Sequence, residues 1–138
     1  MRVVLSVVNL ELTGFVATAI VEVVHGNCKG TGKVVGRNAP ERHCCLVAGA
    51  TARALTELFP RGFGIVLQNV YPVTSELIKA LSTVVLFLTP TREELLLGIA
   101  QVDDSLPRAA AKAVLNAVNR RIEFWLHEGL GTKSTANS

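Results

Sequence analysis

The alternation of apolar and polar positions divides the chain into eight segments. Residues 2–12, RVVLSVVNLEL, are rich in valine and leucine and apolar on both sides, the pattern of a strand that buries more than one face. Gly14 breaks it. Residues 16–25, VATAIVEVVH, are β-branched and alternate with period two, predicting a second strand. The Gly26-Asn27 pair suits a tight turn. Residues 28–36, CKGTGKVVG, then read as a third strand whose glycines signal a bulge or a close backbone approach.

After residue 37 the period changes to that of a helix. Asn38 is placed to cap, Pro40 fits the first turn, and Glu41 follows Asn38 by three residues, as in a capping box. At 100° per residue, Cys44, Val47, Ala48, Thr51, Ala54, Leu55, Leu58 and Phe59 share one face, with Arg42, Gly49, Arg53 and Glu57 opposite. Pro60 and Gly62 close the helix.

The plan then recurs. Residues 64–73 (GIVLQNVYPV), 81–89 (LSTVVLFLT) and 95–102 (LLLGIAQV) read as strands, and DDSLP opens a second helix with Asp104 or Ser105 as cap and Pro107 in its first turn. Ala50, Ala54 and Leu55 fall on Ala113, Ala117 and Val118 at an offset of 63 residues, and Gly32 falls on Gly98 at an offset of 66. Residues 91–99 have helical propensity and a capping box of their own at Thr91 and Glu94. The repeat favours a strand, because Gly98 would sit badly in mid-helix. Residues 74–80 read either as a bulged strand continuation or as one helical turn.

The expected architecture is therefore α+β: duplicated βββα units (1–62 and 63–128) in a single domain spanning 1–128, an antiparallel sheet with two helices packed on one face, and a small, polar, disordered tail at 129–138. Strands apolar on both sides leave the far sheet face needing cover. The expected partner is a second copy, in a dimer.

Composition sharpens this expectation. Of the 138 residues, 49% are hydrophobic and only 18% charged, less charge than the ~25% of ordinary soluble domains, as when surface is hidden in an oligomer. The longest uncharged apolar run, near 81–88, is far short of a membrane-spanning helix. The N-terminal stretch lacks a signal-peptide cleavage pattern. Three cysteines, two of them adjacent, make no disulfide framework, which fits a reducing, cytoplasmic setting.

The alanine-rich helices, with AVLNAVNRR at the second and GATARALTEL at 49–58, together with the duplicated βββα plan, resemble the C-terminal regulatory, leucine-sensing domain of 2-isopropylmalate synthase. The resemblance implies a dimeric ligand-sensing or assembly module. It carries no synthase activity, since the catalytic barrel is absent, and it transfers no effector-binding residue. Where that family begins its first helix with glycine and proline, NAPE stands here.

Candidate chemistry is sparse. Arg121 falls in the middle of the second helix's apolar face. It either snorkels from a helix end or offers paired donors to a carboxylate or phosphate. Arg121, Trp125 and Asn116 are the candidates for contact with a ligand or a subunit. Lys29, Lys33, Arg37, Arg42, Arg53, Arg108, Lys112 and Arg120 are the residues a nucleic-acid-binding alternative would use. A net charge of +3 and seven aromatic residues give that alternative little stacking capacity. His25, Cys28 and His43 are metal-ligand types, but His43, Cys44 and Cys45 are consecutive on a predicted helix and splay by about 100° each. No metal, cofactor or catalytic residue is therefore expected. GNCKGTGKVVGR lacks the Lys-Ser/Thr ending and the helix of a phosphate loop. The functional expectation is a non-enzymatic, self-associating module that binds a small ligand or partner protein at a subunit interface. The alternatives are nucleic-acid binding through basic helix faces and a small metal-binding protein.

Overall fold

A computed structural model describes residues 2–103 and 105–125, with side chains through Ile122. Three strands, β1 (Val4–Thr13), β2 (Val16–His25) and β3 (Cys28–Arg37), lead into helix α1 (Pro40–Thr56). Strands β4 (Gly64–Thr74), β5 (Lys79–Leu88) and β6 (Glu93–Gln101) then lead into α2 (Leu106–Trp125). The βββα plan occurs twice. Its strands form two separate antiparallel sheets, ordered β1-β2-β3 and β4-β5-β6, and each sheet carries its own helix.

The first two hairpins close through two-residue turns, with Gly14 at φ 59° and Gly26 at φ 61°. Positive φ at the first turn residue alone is the type II′ pattern, whose twist matches that of the flanking strands. Both first strands carry a register shift at the same place, between Leu5 and Val7 in β1 and between Leu67 and Asn69 in β4. Within 91–99 the strand begins at Glu93, and residues 75–78 form a turn in which the Ser75 N–H donates to the Ile78 carbonyl (2.9 Å).

Small residues set the distance between helix and sheet. Gly32 of β3 lies directly beneath α1: a Cβ there would collide with the Ala50 carbonyl oxygen and come within 2.6 Å of the Ala54 nitrogen. Gly98 of β6 repeats this under α2, where a Cβ would collide with the Ala113 carbonyl oxygen and come within 2.5 Å of the Ala117 nitrogen. The two helical offsets of 63 and the glycine offset of 66 therefore describe one contact made twice. In the second unit it gains a hydrogen bond, from the buried Thr83 hydroxyl to the Ala113 carbonyl (3.0 Å).

Each helix is enclosed on more than one side. Helix α1 lies across β2 and β3, meets β4 on its flank and packs against α2; α2 lies across β5 and β6 and meets β1. This explains a difference from the helical wheel. Leu46, Ala50 and Ala52 are buried together with Val47, Ala48, Thr51, Ala54 and Leu55, so the buried arc of α1 is wider than one apolar stripe. The sequence signal for that width is alanine, which can be buried on any side without adding bulk.

The cap expected at Asn38 is not formed. The α1 N-cap is Ala39, without a side-chain capping bond. Asn38 is drawn instead to the β1–β2 turn: its Nδ2 donates to the Gly14 carbonyl (3.0 Å), its N–H donates to the Phe15 carbonyl (2.8 Å), and its Oδ1 pairs with His43 Nε2 (2.9 Å). The second helix is capped as its sequence predicts, with Ser105 Oγ accepting from the Arg108 N–H at 3.1 Å. Asp104 and the 129–138 tail lie outside the described residues.

This packing makes glycine-to-alanine changes opposite in sign at neighbouring sites. Gly32→Ala and Gly98→Ala each force a helix off its strand and are expected to destabilise by about 3 kcal/mol or more, the upper end of overpacking costs. Gly49→Ala, in mid-helix, would place its Cβ 3.7 Å from Val34 Cγ2, an ordinary contact. It should stabilise by about 0.5–1 kcal/mol through helix propensity. Urea unfolding of the three variants measures both.

Candidate functional site

Two surfaces stand out once the fold is set. The first is a cleft of about 500 Å³ between the start of β1, the edge strand β6 and α2. Successive turns of α2 present Arg108, Lys112, Asn116 and Asn119 to it, and Arg120 lines an adjoining hollow. Val3, Leu5 and Ala100 line the cleft as well, and Ile99 stands at its rim. Asn116 Oδ1 accepts the Ile99 N–H at 3.0 Å, which ties α2 to the β6 edge. With the Asn119 amide oriented to satisfy its neighbours, its oxygen accepts from Arg2 Nε (3.1 Å) and Nη2 (2.7 Å).

The matching place in the first unit is bridged. On α1, Thr56 Oγ1 donates to the Ile65 carbonyl (3.2 Å) and accepts the Ile65 N–H (3.0 Å), closing β4 against the helix. At the 63-residue offset, Arg108, Lys112, Asn116 and Asn119 correspond to Cys45, Gly49, Arg53 and Thr56.

The second surface is the outer face of the second sheet. Strand register places Val66, Val73, Val84, Leu86, Leu95, Leu97 and Ile99 on it together with the uncharged polar Asn69, Tyr71, Ser82 and Gln101, and Glu93, beside a turn, is its one charged position. Leu97 is 71% and Leu95 63% exposed. The corresponding face of the first sheet carries Glu11, Glu22, Lys29, Lys33 and Arg37 among threonines and valines.

The sequence-predicted residues separate accordingly. Arg121 faces neither surface: its Nη2 donates to Glu94 Oε2 at 2.7 Å, over the end of β6. The guanidinium in the apolar stripe is thus explained by a carboxylate on the sheet its helix covers. The Trp125 side chain lies outside the described residues. The basic residues split into groups. Lys29, Lys33 and Arg37 lie on the outer face of the first sheet, with Lys29 3.4 Å from Glu22 and Arg37 3.7 Å from Glu41. Arg42 is exposed at the start of α1, and Arg53 donates to the Lys33 carbonyl (3.1 Å). Arg108, Lys112 and Arg120 belong to the cleft. Sequence reasoning missed Arg2 and Asn119, because only the fold brings the first residues of the chain onto the last helix.

Among the described residues no group of three or more His, Cys, Asp or Glu is placed to hold a metal. Also among them, no helix is long and apolar enough to cross a membrane. Cys28 and Cys45 are exposed and Cys44 is partly covered. Burial, and then the neighbouring Cys45, push the Cys44 thiol above its usual pKa. Cys44 therefore holds its proton at neutral pH and is expected to react with iodoacetamide more slowly than Cys28 or Cys45 in the folded chain. Peptide mass spectrometry after timed labelling reads the order, and denaturant should abolish it. Neither a protein-family model nor a curated protein matches the chain.

Proposed function

We propose that the protein is a non-enzymatic module that pairs with a second copy of itself through the outer face of its second sheet, and holds a small ligand beside that interface. The carrying observation is the contrast between the two outer faces. The units share their inner packing, so a shared fold does not account for one outer face carrying five charged residues and the other only Glu93 among exposed leucines, valines and Ile99. Exposed large apolar side chains clustered on a face with one charge are a common mark of an interaction surface.

Size and symmetry favour a second copy. Three strands of ten residues make a face of roughly 33 Å by 14 Å, or about 460 Å² on each copy before side-chain relief. Two such faces bury roughly 900 Å² in all, the scale of a small and readily dissociating interface. A face almost free of charge is complementary to itself under a twofold axis, and face-to-face stacking of sheets is an established way to bury one. The resemblance to a dimeric leucine-sensing domain points in the same direction. The ligand part of the proposal rests on position: Ile99 stands both on the apolar face and at the rim of the cleft.

Light scattering across a concentration series should report a dimer. Leu97→Glu should raise the dissociation constant about a hundredfold or more by placing an unpaired carboxylate in the interface, while the far-UV circular dichroism stays unchanged because position 97 faces solvent in the single chain. Val35→Glu, on the charged outer face, should leave the dimer intact. A wild-type chain that stays monomeric at all concentrations sinks the proposal.

A further inference from the structure

We infer that the cleft beside α2 is a binding site for a small organic oxyanion, a carboxylate or phosphate carried on a short apolar body. This names the ligand class for the reading above and rests on it. The observation behind it is the character of the polar groups that line the cleft. Asn116 has its side-chain oxygen engaged by the Ile99 N–H, and Asn119 has its oxygen engaged by Arg2. Two Arg2 N–H groups fill the Asn119 oxygen and the Ile99 N–H takes one lone pair of the Asn116 oxygen, so both amides have their NH₂ groups to offer a ligand. Arg108 and Lys112 offer N–H donors and positive charge, and Arg120 adds another from the adjoining hollow.

Among the described residues no carboxylate lines the cleft itself, and Asp103 lines a much smaller hollow that shares Arg108 and Lys112. The side chains of the cleft offer the donors and charge of Arg108 and Lys112 and two amide NH₂ groups against one remaining acceptor site on Asn116, so the ligand they suit is rich in acceptors and negatively charged. The remaining lining, from Val3, Leu5, Ala100 and Leu115, is apolar and would accommodate a hydrocarbon portion. A volume of about 500 Å³ is in the range of sites for small molecules.

The fold does not need these residues. Where α2 has Arg108 and Lys112, α1 has Cys45 and Gly49, and the same helix-on-glycine contact forms over both sheets. The two cationic side chains are exposed and take no part in that contact. What the two units share serves the architecture. The cations that α2 has and α1 lacks line the cleft, whereas at the matching place on α1 Thr56 holds β4 against the helix.

The test uses the full chain and four probes at fixed ionic strength set with chloride: hexanoate, hexyl phosphate, inorganic phosphate and neutral hexanol. Amide chemical shifts of Ile99, Lys112 and Asn116 report binding per chain, and light scattering on the same samples reports assembly. Binding and dimerisation can therefore fail separately. Saturable shifts with hexanoate or hexyl phosphate, and weaker ones with hexanol, are expected; whichever anion binds tighter identifies the headgroup. Inorganic phosphate should bind less tightly than hexyl phosphate. Arg108→Ala and Lys112→Ala should each weaken binding about tenfold, with the unliganded melting temperature unchanged. Overturning results are no saturable shift with any anion, hexanol binding as tightly as the anions, or anion binding that survives both substitutions together.

Discussion

The fold depends on a close contact common to both units, a helix backbone lying on a glycine of an edge strand, which the first unit doubles with Gly30 against the Ala54 carbonyl. Ala50 and Ala54 of α1 sit over Gly32, and Ala113 and Ala117 of α2 sit over Gly98. At that distance the helix carbonyl lies where a side chain would otherwise begin, so the glycine Cα–H faces the oxygen, a weak but favourable contact. The larger gain is in packing. With the helix axis so close, small side chains on its flanks are enclosed by strands and by the second helix, and dispersion contacts form on all sides. The alanines of α2 are therefore constrained by space: Ala109, Ala110, Ala111 and Ala113 are all buried.

This constraint explains which parts of the structure were legible in the sequence. Strand alternation in residues 16–25 and the offsets of 63 and 66 gave the duplicated plan, and the glycine pairing decided for a strand over residues 91–99 against their helical propensity. Local rules failed where a residue serves a distant element. Asn38 has the sequence signature of a helix cap, but the Gly14 carbonyl and His43 compete for its side chain and hold it. Arg121 looks misplaced on a helical wheel, because the wheel does not show that β6 presents Glu94 at that point. The separation of the strands into two sheets was likewise not visible, since pairing within each unit is local and the relation between units is not.

The same reasoning separates architecture from function within the chain itself. Duplicated units carry an internal control: features present in both are accounted for by the fold, and features present in one need another cause. The glycine contact, the strand irregularities at Leu5/Val7 and Leu67/Asn69, and the buried alanines belong to the first class. The apolar outer face of β4–β6 and the donor-lined cleft belong to the second. The Arg121–Glu94 pair is also confined to the second unit, since Leu58 stands at the matching position of α1, and there it ties α2 to the end of β6.

The apolar face and the cleft are also adjacent, and adjacency has an energetic consequence. Ile99 contributes its side chain to the apolar face and its N–H to Asn116, whose amide lines the cleft. A second copy covering Ile99 would exclude water from one rim of the cleft. Charge-assisted hydrogen bonds to a bound oxyanion strengthen as the local dielectric falls. Ligand binding would then be tighter in the dimer than in the single chain. By linkage the ligand must favour the dimer by the same factor. A module built this way couples the concentration of a small anion to its own assembly without any moving part beyond the association of two sheets.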